Sequence, residues 1–351
     1  MGVARILKAL ATPLLFVGMV LAPQPLVLAQ GQYGARPDAG FQAYLQVLAA
    51  RGRREGVREA TIQTMIAGLT PNPAVIALDH AQPEMNPNTR PPDFAPYRRA
   101  HVDNARIAAG RAMYREVAGL APRIERTYGV PASIILSIWG NETNFGHYTG
   151  NFDLARSLAT LAYDGRRREL FADEFIDLMK MADIGVPRWQ MKGSWAGAFG
   201  NPQFLPSVYL RLAQDGDDDG YRDIWNNKAD TMASIANYFH DAGWRPGIPW
   251  GISAAVPAGL NRAGLAGGLT APSCNRVHSR RSRWLTVREW RRRGVIPQGS
   301  IGEDVLASLI EPDGQGKTAF LLTGNYRVIL EYNCSNYYAL SVGLLADQIA
   351  R

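Results

Sequence analysis

The chain is 351 residues long, 46% hydrophobic and 20% charged, with a formal charge of +7 at neutral pH. That is ample apolar material for one large domain or two ordinary ones, and two cysteines, Cys274 and Cys334, are too few for a cysteine-based zinc or iron–sulfur site. A modest positive balance suits a polyanionic partner without choosing one, since nucleic acid fits the charge as well as any other acidic polymer.

The first 29 residues read as a secretory signal: Arg5 and Lys8 are basic, residues 9–22 are apolar, and Val27-Leu28-Ala29 offers a cleavage site before Gln30. Pro13 and Pro23 interrupt the apolar run, which falls short of the roughly 20 residues of a membrane-spanning helix. An uncleaved anchor is therefore the weaker alternative, and no stable membrane insertion is expected after cleavage. Removing residues 1–29 takes away two positive charges and leaves +5. In an oxidising compartment Cys274 and Cys334 either bridge or remain two buried thiols, and spacing alone does not decide between them.

After a polar lead over residues 30–40, Phe41, Tyr44, Leu45 and Leu48 recur at helical spacing, and a second helical pattern covers residues 57–66. Residues 81–97 hold five prolines and read as an extended linker. Helical periodicity resumes with Ile107, Met113, Tyr114, Val117, Leu120 and Ile124, and Gly129 is a stop signal. Pro131 suits the first turn of the next helix, in which Ile135, Ile138 and Trp139 share a face with Glu142. Further helices are expected at 152–162, 168–183, 204–213 and 230–242, a strand-and-loop region between about 246 and 315, a hairpin over 318–331, and a closing helix from Tyr338 to Ile349. The arginines around 280–283 and 291–293 read as a solvated face.

The segment Ile138-Trp-Gly-Asn-Glu142-Thr-Asn-Phe-Gly146 places one acid on an apolar helical face just before a glycine turn. Burial disfavours a carboxylate and so raises its pKa. A carboxylic acid still protonated near neutral pH can protonate the leaving oxygen of a sugar. The competing explanation is a glutamate that caps or bridges within the core.

Glu142-Thr-Asn-Phe-Gly146 resembles the E-T-x-[WF]-G signature of the B-type lytic murein transglycosylases, enzymes with a lysozyme-like core. Lys192-Gly-Ser-Trp-Ala-Gly-Ala-Phe-Gly-Asn-Pro-Gln-Phe-Leu-Pro-Ser207, Ile235-Ala-Asn-Tyr-Phe239 and Tyr332-Asn333-Cys-Ser335-Asn-Tyr-Tyr338-Ala339 resemble further blocks of that family in the same order. The resemblance runs from about residue 40 to 345. It implies that Ser194 and Gln203 hydrogen-bond the sugar N-acetyl group or the reacting centre, and that Tyr97, Tyr238, Tyr332, Asn333 and Tyr338 line the cleft. Arg166 and Arg167 stand where the family carries a paired arginine that meets the peptide stem. The glycine-rich stretch 193–200 lacks the Gly-Lys-Ser/Thr order of a phosphate cradle.

Asp215-Gly-Asp217-Asp-Asp219-Gly220-Tyr221 matches the first half of an EF-hand loop, with oxygen ligands at Asp215, Asp217 and Asp219 and a backbone carbonyl at Tyr221. Asn226 stands where the bidentate acid usually does. The resemblance implies a longer loop closed by Asp230, around a structural Ca2+ or another hard cation; the alternative is a solvated acidic turn.

The expected fold is α+β and predominantly helical. A signal peptide (1–29) precedes an N-terminal helical region and linker (30–94), a lysozyme-like catalytic core (95–245), a small β-containing subdomain (246–330) and a closing segment (331–351). The function implied is periplasmic cleavage of peptidoglycan glycan strands with formation of 1,6-anhydro ends, with Glu142 as single acid/base, no cofactor in catalysis and no nucleic-acid partner. No second carboxylate is apparent for a hydrolase. Lysozyme-type hydrolysis and a catalytically silent peptidoglycan-binding scaffold remain the alternatives.

Overall fold

The computed structural model describes residues 38–82, 92–267, 274–278 and 281–351, so the expected signal segment and residues 83–91 of the expected linker lie outside the described residues. Helices α1 (Ala39–Arg54), α2 (Glu59–Ile66), α3 (Pro73–His80), α4 (Phe94–His101), α5 (Asn104–Glu116), α6 (Ala121–Tyr128) and α7 (Ala132–Thr143) come first. Strand β1 (Phe152–Asp153), α8 (Leu154–Asp164), α9 (Arg168–Asp183), β2 (Lys192–Gly193), α10 (Pro206–Leu212) and α11 (Lys228–Asp241) follow. The chain ends with β3 (Gly251–Ala255), α12 (Asn275–His278), β4 (Leu285–Thr286), α13 (Val287–Arg292), β5 (Ile296–Pro297), β6 (Leu306–Ile310), β7 (Phe320–Leu322), α14 (Gly324–Tyr332) and α15 (Asn336–Ile349). The architecture is α+β and mostly helical, as the sequence predicts.

The described residues fall into two compact units, whose boundaries lie inside α7 after Ser137 and inside α11 after Asn237. The unit that contains Glu142 is built on α8 and α9, which pack on each other and receive α1, α2, α3 and α10. Asp38 opens α1 by accepting from Gly40 N and Phe41 N, and Asp153 opens α8 by accepting from Arg156 N at 2.9 Å. Such caps satisfy amides that have no partner in the first turn. Phe41, Leu45 and Leu48 of α1, Leu158 and Leu161 of α8, and Phe171, Phe175 and Leu178 of α9 are fully buried, each worth about 1.5–3 kcal/mol of apolar transfer. β1 and β2 form a short antiparallel ladder that pairs Phe152 with Gly193 and Asp153 with Lys192.

The other unit carries a five-stranded antiparallel sheet in the order β4-β6-β7-β3-β5. Its own apolar cluster gathers Leu265, Leu285, Trp290, Val295, Leu309 and Leu321, and Trp290 Nε1 donates to Ala307 O at 3.0 Å, so the buried indole is satisfied. Thr286 and Glu289 form a reciprocal capping box on α13. In the same unit α15 packs on α4, α5 and α14, and Ser137 Oγ donates to Val342 O at 2.6 Å.

Two expectations change. Residues 318–331 are not a hairpin: β7 ends at Leu322, Thr323 accepts from Asn325 N, and α14 begins. Tyr326, Ile329 and Leu330 are buried at helical spacing, a period that the apolar residues just before them obscure. The expected linker is already helical from Phe94, with Pro96 in the first turn, where its missing N–H costs nothing. Cys274 and Cys334 are joined, with Cα atoms 5.5 Å apart.

Candidate active site

α7 is buried along almost its whole length. Ile135 and Ile138 have no exposed surface, Trp139 has 2%, and Glu142, one turn beyond Ile138, is half-buried near the helix's C-terminal end. After Thr143, which ends the helix, three residues take positive φ: Asn144 (49°), Phe145 (58°) and Gly146 (92°). A bulky residue such as phenylalanine rarely adopts this region, and strain of this kind persists where packing overrides it. Here the tip of the Phe145 ring meets Gly140, so close that a Cβ there would stand 2.6 Å from its Cζ. The glycine in Trp139-Gly-Asn-Glu142 is thus required by the turn that follows the acid.

Ser194 and Gln203 sit on the loop between β2 and α10, which is held in shape by its own backbone. Phe199 and Phe204 exchange both main-chain bonds at 2.9 and 3.0 Å, and Gln203 takes φ 53° at the turn between them. Ser194 Oγ accepts from Ala198 N at 3.0 Å, which leaves its hydroxyl proton to point at a ligand. Gln203 Nε2 donates to Gly200 O at 2.9 Å and to Thr149 O at 3.1 Å. With both amide hydrogens committed, the group that Gln203 can offer a ligand is its carbonyl oxygen. The loop is stitched to the strained turn: Thr143 Oγ1 donates to Asn201 O at 3.1 Å, and a Cβ on Gly150 would stand 2.3 Å from Gly193 O.

The predicted cleft tyrosines belong to the sheet-bearing unit. Tyr238 and Tyr332 meet edge to face at 4.7 Å, and Tyr238 Oη donates to Glu331 O at 2.8 Å. Tyr97 stacks on His101 at 3.8 Å, whereas Asn333 and Tyr338 are buried with 5% exposure each. Arg166 and Arg167 have a partner that the sequence did not suggest, the fully buried Asp79 at the end of α3: Arg166 lies 3.5 Å from Asp79 Oδ2, and Arg167 is in hydrogen-bond contact with Oδ1. His80, Gln82, Asp164 and Arg166 line an open pocket of about 450 Å3 in the same unit.

In the acidic loop, Asp215, Asp217 and Asp230 bring carboxylate oxygens within 4.8 Å of one another. Asp230 is fully buried and accepts from Gly216 N at 2.7 Å and Asp223 N at 2.6 Å. Burial first, then the neighbouring Asp217 and Asp215, push its carboxyl up to about 6. Convergent carboxylates around a buried acid fit a hard cation, which would offset their mutual repulsion. Asp219 is outside this cluster and accepts from Tyr221 N at 2.8 Å.

One acid escaped the sequence reading. Glu174 lies on α9 with 5% exposure, and its oxygens accept from Ser207 N at 2.9 Å and Ser207 Oγ at 2.7 Å. Burial, with help from Asp177 and Asp173, pushes it up to about 7. The signal was present, since Glu174 shares the apolar face of Phe171, Phe175 and Leu178.

Residues 40–347 match the family described as Transglycosylase SLT domain. The chain belongs to that family. It is a lytic transglycosylase, a lyase acting on peptidoglycan. It is 28% identical over 343 residues to the membrane-bound lytic murein transglycosylase B of Escherichia coli (strain K12), covering 95% of this chain and 88% of that one. Among solved structures, SltB3 from Pseudomonas aeruginosa in complex with NAG-NAM-pentapeptide superposes with a TM-score of 0.79 at 37% identity, covering 88% of this chain and 79% of that one. The Escherichia coli lytic transglycosylase Slt35 in complex with calcium gives a TM-score of 0.71 at 27% identity, covering 92% and 98%. These likenesses bear out the lysozyme-like, predominantly helical fold.

Proposed function

We propose that this lytic transglycosylase cleaves the β-1,4 bond between N-acetylmuramic acid and N-acetylglucosamine with Glu142 as its single acid/base, and closes a 1,6-anhydro ring on the muramic acid. The observation that carries this reading is the placement of Glu142: it ends a buried helical face, opens a strained turn, and is stitched through Thr143 to the loop of Ser194 and Gln203. Glu142 donates its proton to the bridging oxygen as the C1–O4 bond breaks, and the substrate's own N-acetyl carbonyl stabilises the anomeric cation. The carboxylate then takes the proton of the C6 hydroxyl as O6 bonds C1, so one proton moves from O6 to O4 and no water is consumed. An internal hydroxyl outcompetes water because its effective concentration is very high. The Ser194 hydroxyl and the Gln203 carbonyl suit the C=O and N–H of an N-acetyl group; Tyr97, Tyr238, Tyr332, Asn333 and Tyr338 are assigned to sugar binding on the family resemblance alone.

The peptide stem, an anionic chain, is assigned to Arg166 and Arg167 and the pocket beside them, a reading supported by SltB3, whose structure holds NAG-NAM-pentapeptide. Asp215, Asp217, Asp219, Tyr221 and Asp230 are assigned to a structural Ca2+, supported by the carboxylates that converge there and by the calcium complex of Slt35. The compartment is the periplasm, supported by the export signal read in residues 1–29; among the described residues no helix is long and apolar enough to cross a membrane. Mass spectrometry of muropeptides released from sacculi tests the chemistry. Wild type should give products one water lighter than hydrolysis would, and Glu142→Gln should lower their release on the order of 1,000-fold, within the range of a lost general acid. Hydrated ends, or undiminished release by Glu142→Gln, would overturn the reading.

A further inference from the structure

We infer that Asn201 and Thr143 together form a positioning device that sets Glu142 against the loop of Ser194 and Gln203. The inference rests on the reading of Glu142 as the acid and deepens it. Asn201 is 4% exposed, and its main-chain N–H, its side-chain Nδ2 and its carbonyl are all engaged within its unit. Its amide N donates to Ile224 O at 2.8 Å, and its side-chain Nδ2 donates to Trp225 O and to Thr231 Oγ1, both at 3.1 Å. Trp225 in turn stacks on Phe199 with ring centroids 5.1 Å apart, and Thr231 belongs to α11 and has no exposed surface. Three bonds thus hold the Asn201 residue in place before it does anything for α7.

That fixed carbonyl is the nearer acceptor for Thr143 Oγ1, on the residue next to Glu142, at 3.1 Å, ahead of Trp139 O one turn back at 3.3 Å. The same Thr143 oxygen accepts from Gly146 N at 3.1 Å, so it closes the left-handed turn while anchoring it. Gly146 comes so near Asn201 that a Cβ there would meet Asn201 Oδ1 at 2.8 Å. Because backbone strain unwinds unless something opposes it, the Thr143 hydroxyl and the Asn201 carbonyl determine where α7 stops and how Glu142 is presented. Asn201 touches neither substrate nor proton in this account; it acts through Thr143.

The device sets proton transfer and not sugar affinity, so kcat and KM should separate. Thr143→Val, which removes the hydroxyl and keeps the shape, should lower kcat on the order of 10- to 100-fold with KM within about twofold, because displacing a reacting group by ~1 Å costs about that much. Asn201→Ala should lower kcat in the same direction, and Thr143→Ser should restore it to within about threefold of wild type. The 13Cδ resonance of Glu142 should move in Thr143→Val and Asn201→Ala and stay in place in Thr143→Ser. Unchanged kcat in both disruptive variants, or a loss that Thr143→Ser does not rescue, overturns the inference; should Thr143→Val fail to fold, Asn201→Ala and Thr143→Ser carry the same comparison. A wild type that yields no anhydro product sinks the functional reading instead, and the Glu142 resonance then decides the positioning on its own.

Discussion

Glu142 and Glu174 each sit on the apolar face of a helix, and by that criterion they are the same residue twice. They differ in where they stand on their helices. Glu174 is in mid-helix with both oxygens occupied by Ser207, and its pKa near 7 comes from burial. Glu142 is half-buried, close to the end of its helix, and followed, after Thr143, by three residues of positive φ tied to a polar loop. A perturbed pKa alone would select Glu174 as the acid, since raised carboxyls cluster at active sites. Glu174 has both oxygens taken by Ser207, which works against proton transfer to a ligand, and on the proposed reading the strained turn marks the acid. The pair of amides Glu142→Gln and Glu174→Gln tests this contrast at its largest: the first should lose turnover about a thousandfold, the second should keep it within roughly threefold, because an amide can still accept from Ser207. Equal losses in release assays would erase the distinction.

The next largest effect concerns Asp79, a buried acid balanced by charge where Glu174 is balanced by a serine. It has 1% exposure and depends on Arg166 and Arg167. Arg167→Ala should cost about 3 kcal/mol in chemical denaturation, the low end for breaking a buried pair because Arg166 remains. Arg166→Ala, whose side chain is 37% exposed, should instead raise KM for peptide-bearing strands and leave naked strands unaffected. If both variants melt like wild type, the Asp79 pairing has no structural weight and both arginines belong to substrate alone.

What the sequence disclosed and what it hid follow one physical line. Short-range chemistry was legible: the spacing of Phe41, Leu45 and Leu48 falls on α1, and the Glu142 turn lies within nine residues of Ile138. Partners distant in the chain were not. Asp79 meets Arg166 and Arg167 from 87 and 88 residues away, Ser207 meets Glu174 across 33, and Asn201 gathers Thr143, Trp225 and Thr231 from separate segments. The bond between Cys274 and Cys334, 60 residues apart, is of the same kind. The hairpin expected over 318–331 fails for a local reason, since an apolar strand runs straight into an amphipathic helix and only Thr323 marks the change.

Glu174 also predicts a pH dependence with a definite sign. Its folded pKa, about 7, lies above the 4.5 of the unfolded chain, so between those values the native state holds more proton than the unfolded state. Stability must then fall as pH rises through that window and level off above it. The span corresponds to at most about 3 kcal/mol. Denaturation midpoints measured from pH 4 to 8 should show this decline in wild type, and Glu174→Gln should remove the part above about pH 6, where Asp230, raised to about 6, no longer contributes. A slope above pH 6 that survives the substitution would assign the decline to other groups.

The smallest effect is at the acidic loop, where the balancing charge comes from outside the chain. Among the described residues Asp230 is met by the amides of Gly216 and Asp223, not by an arginine as Asp79 is, while Asp215 and Asp217 crowd it with like charge. Calcium binding to the native loop should therefore stabilise by mass action, by about 1.4 kcal/mol at tenfold excess over Kd. Thermal melting in calcium against chelator should show that rise, and Asp230→Asn should remove most of it. Because the loop passes Ile224 and Trp225 to Asn201, chelation should also broaden the Asn201 amide resonance more than that of Ser207, which is held by Glu174 alone. A melting point indifferent to both calcium and Asp230→Asn would leave the loop as an acidic turn that its own amides satisfy.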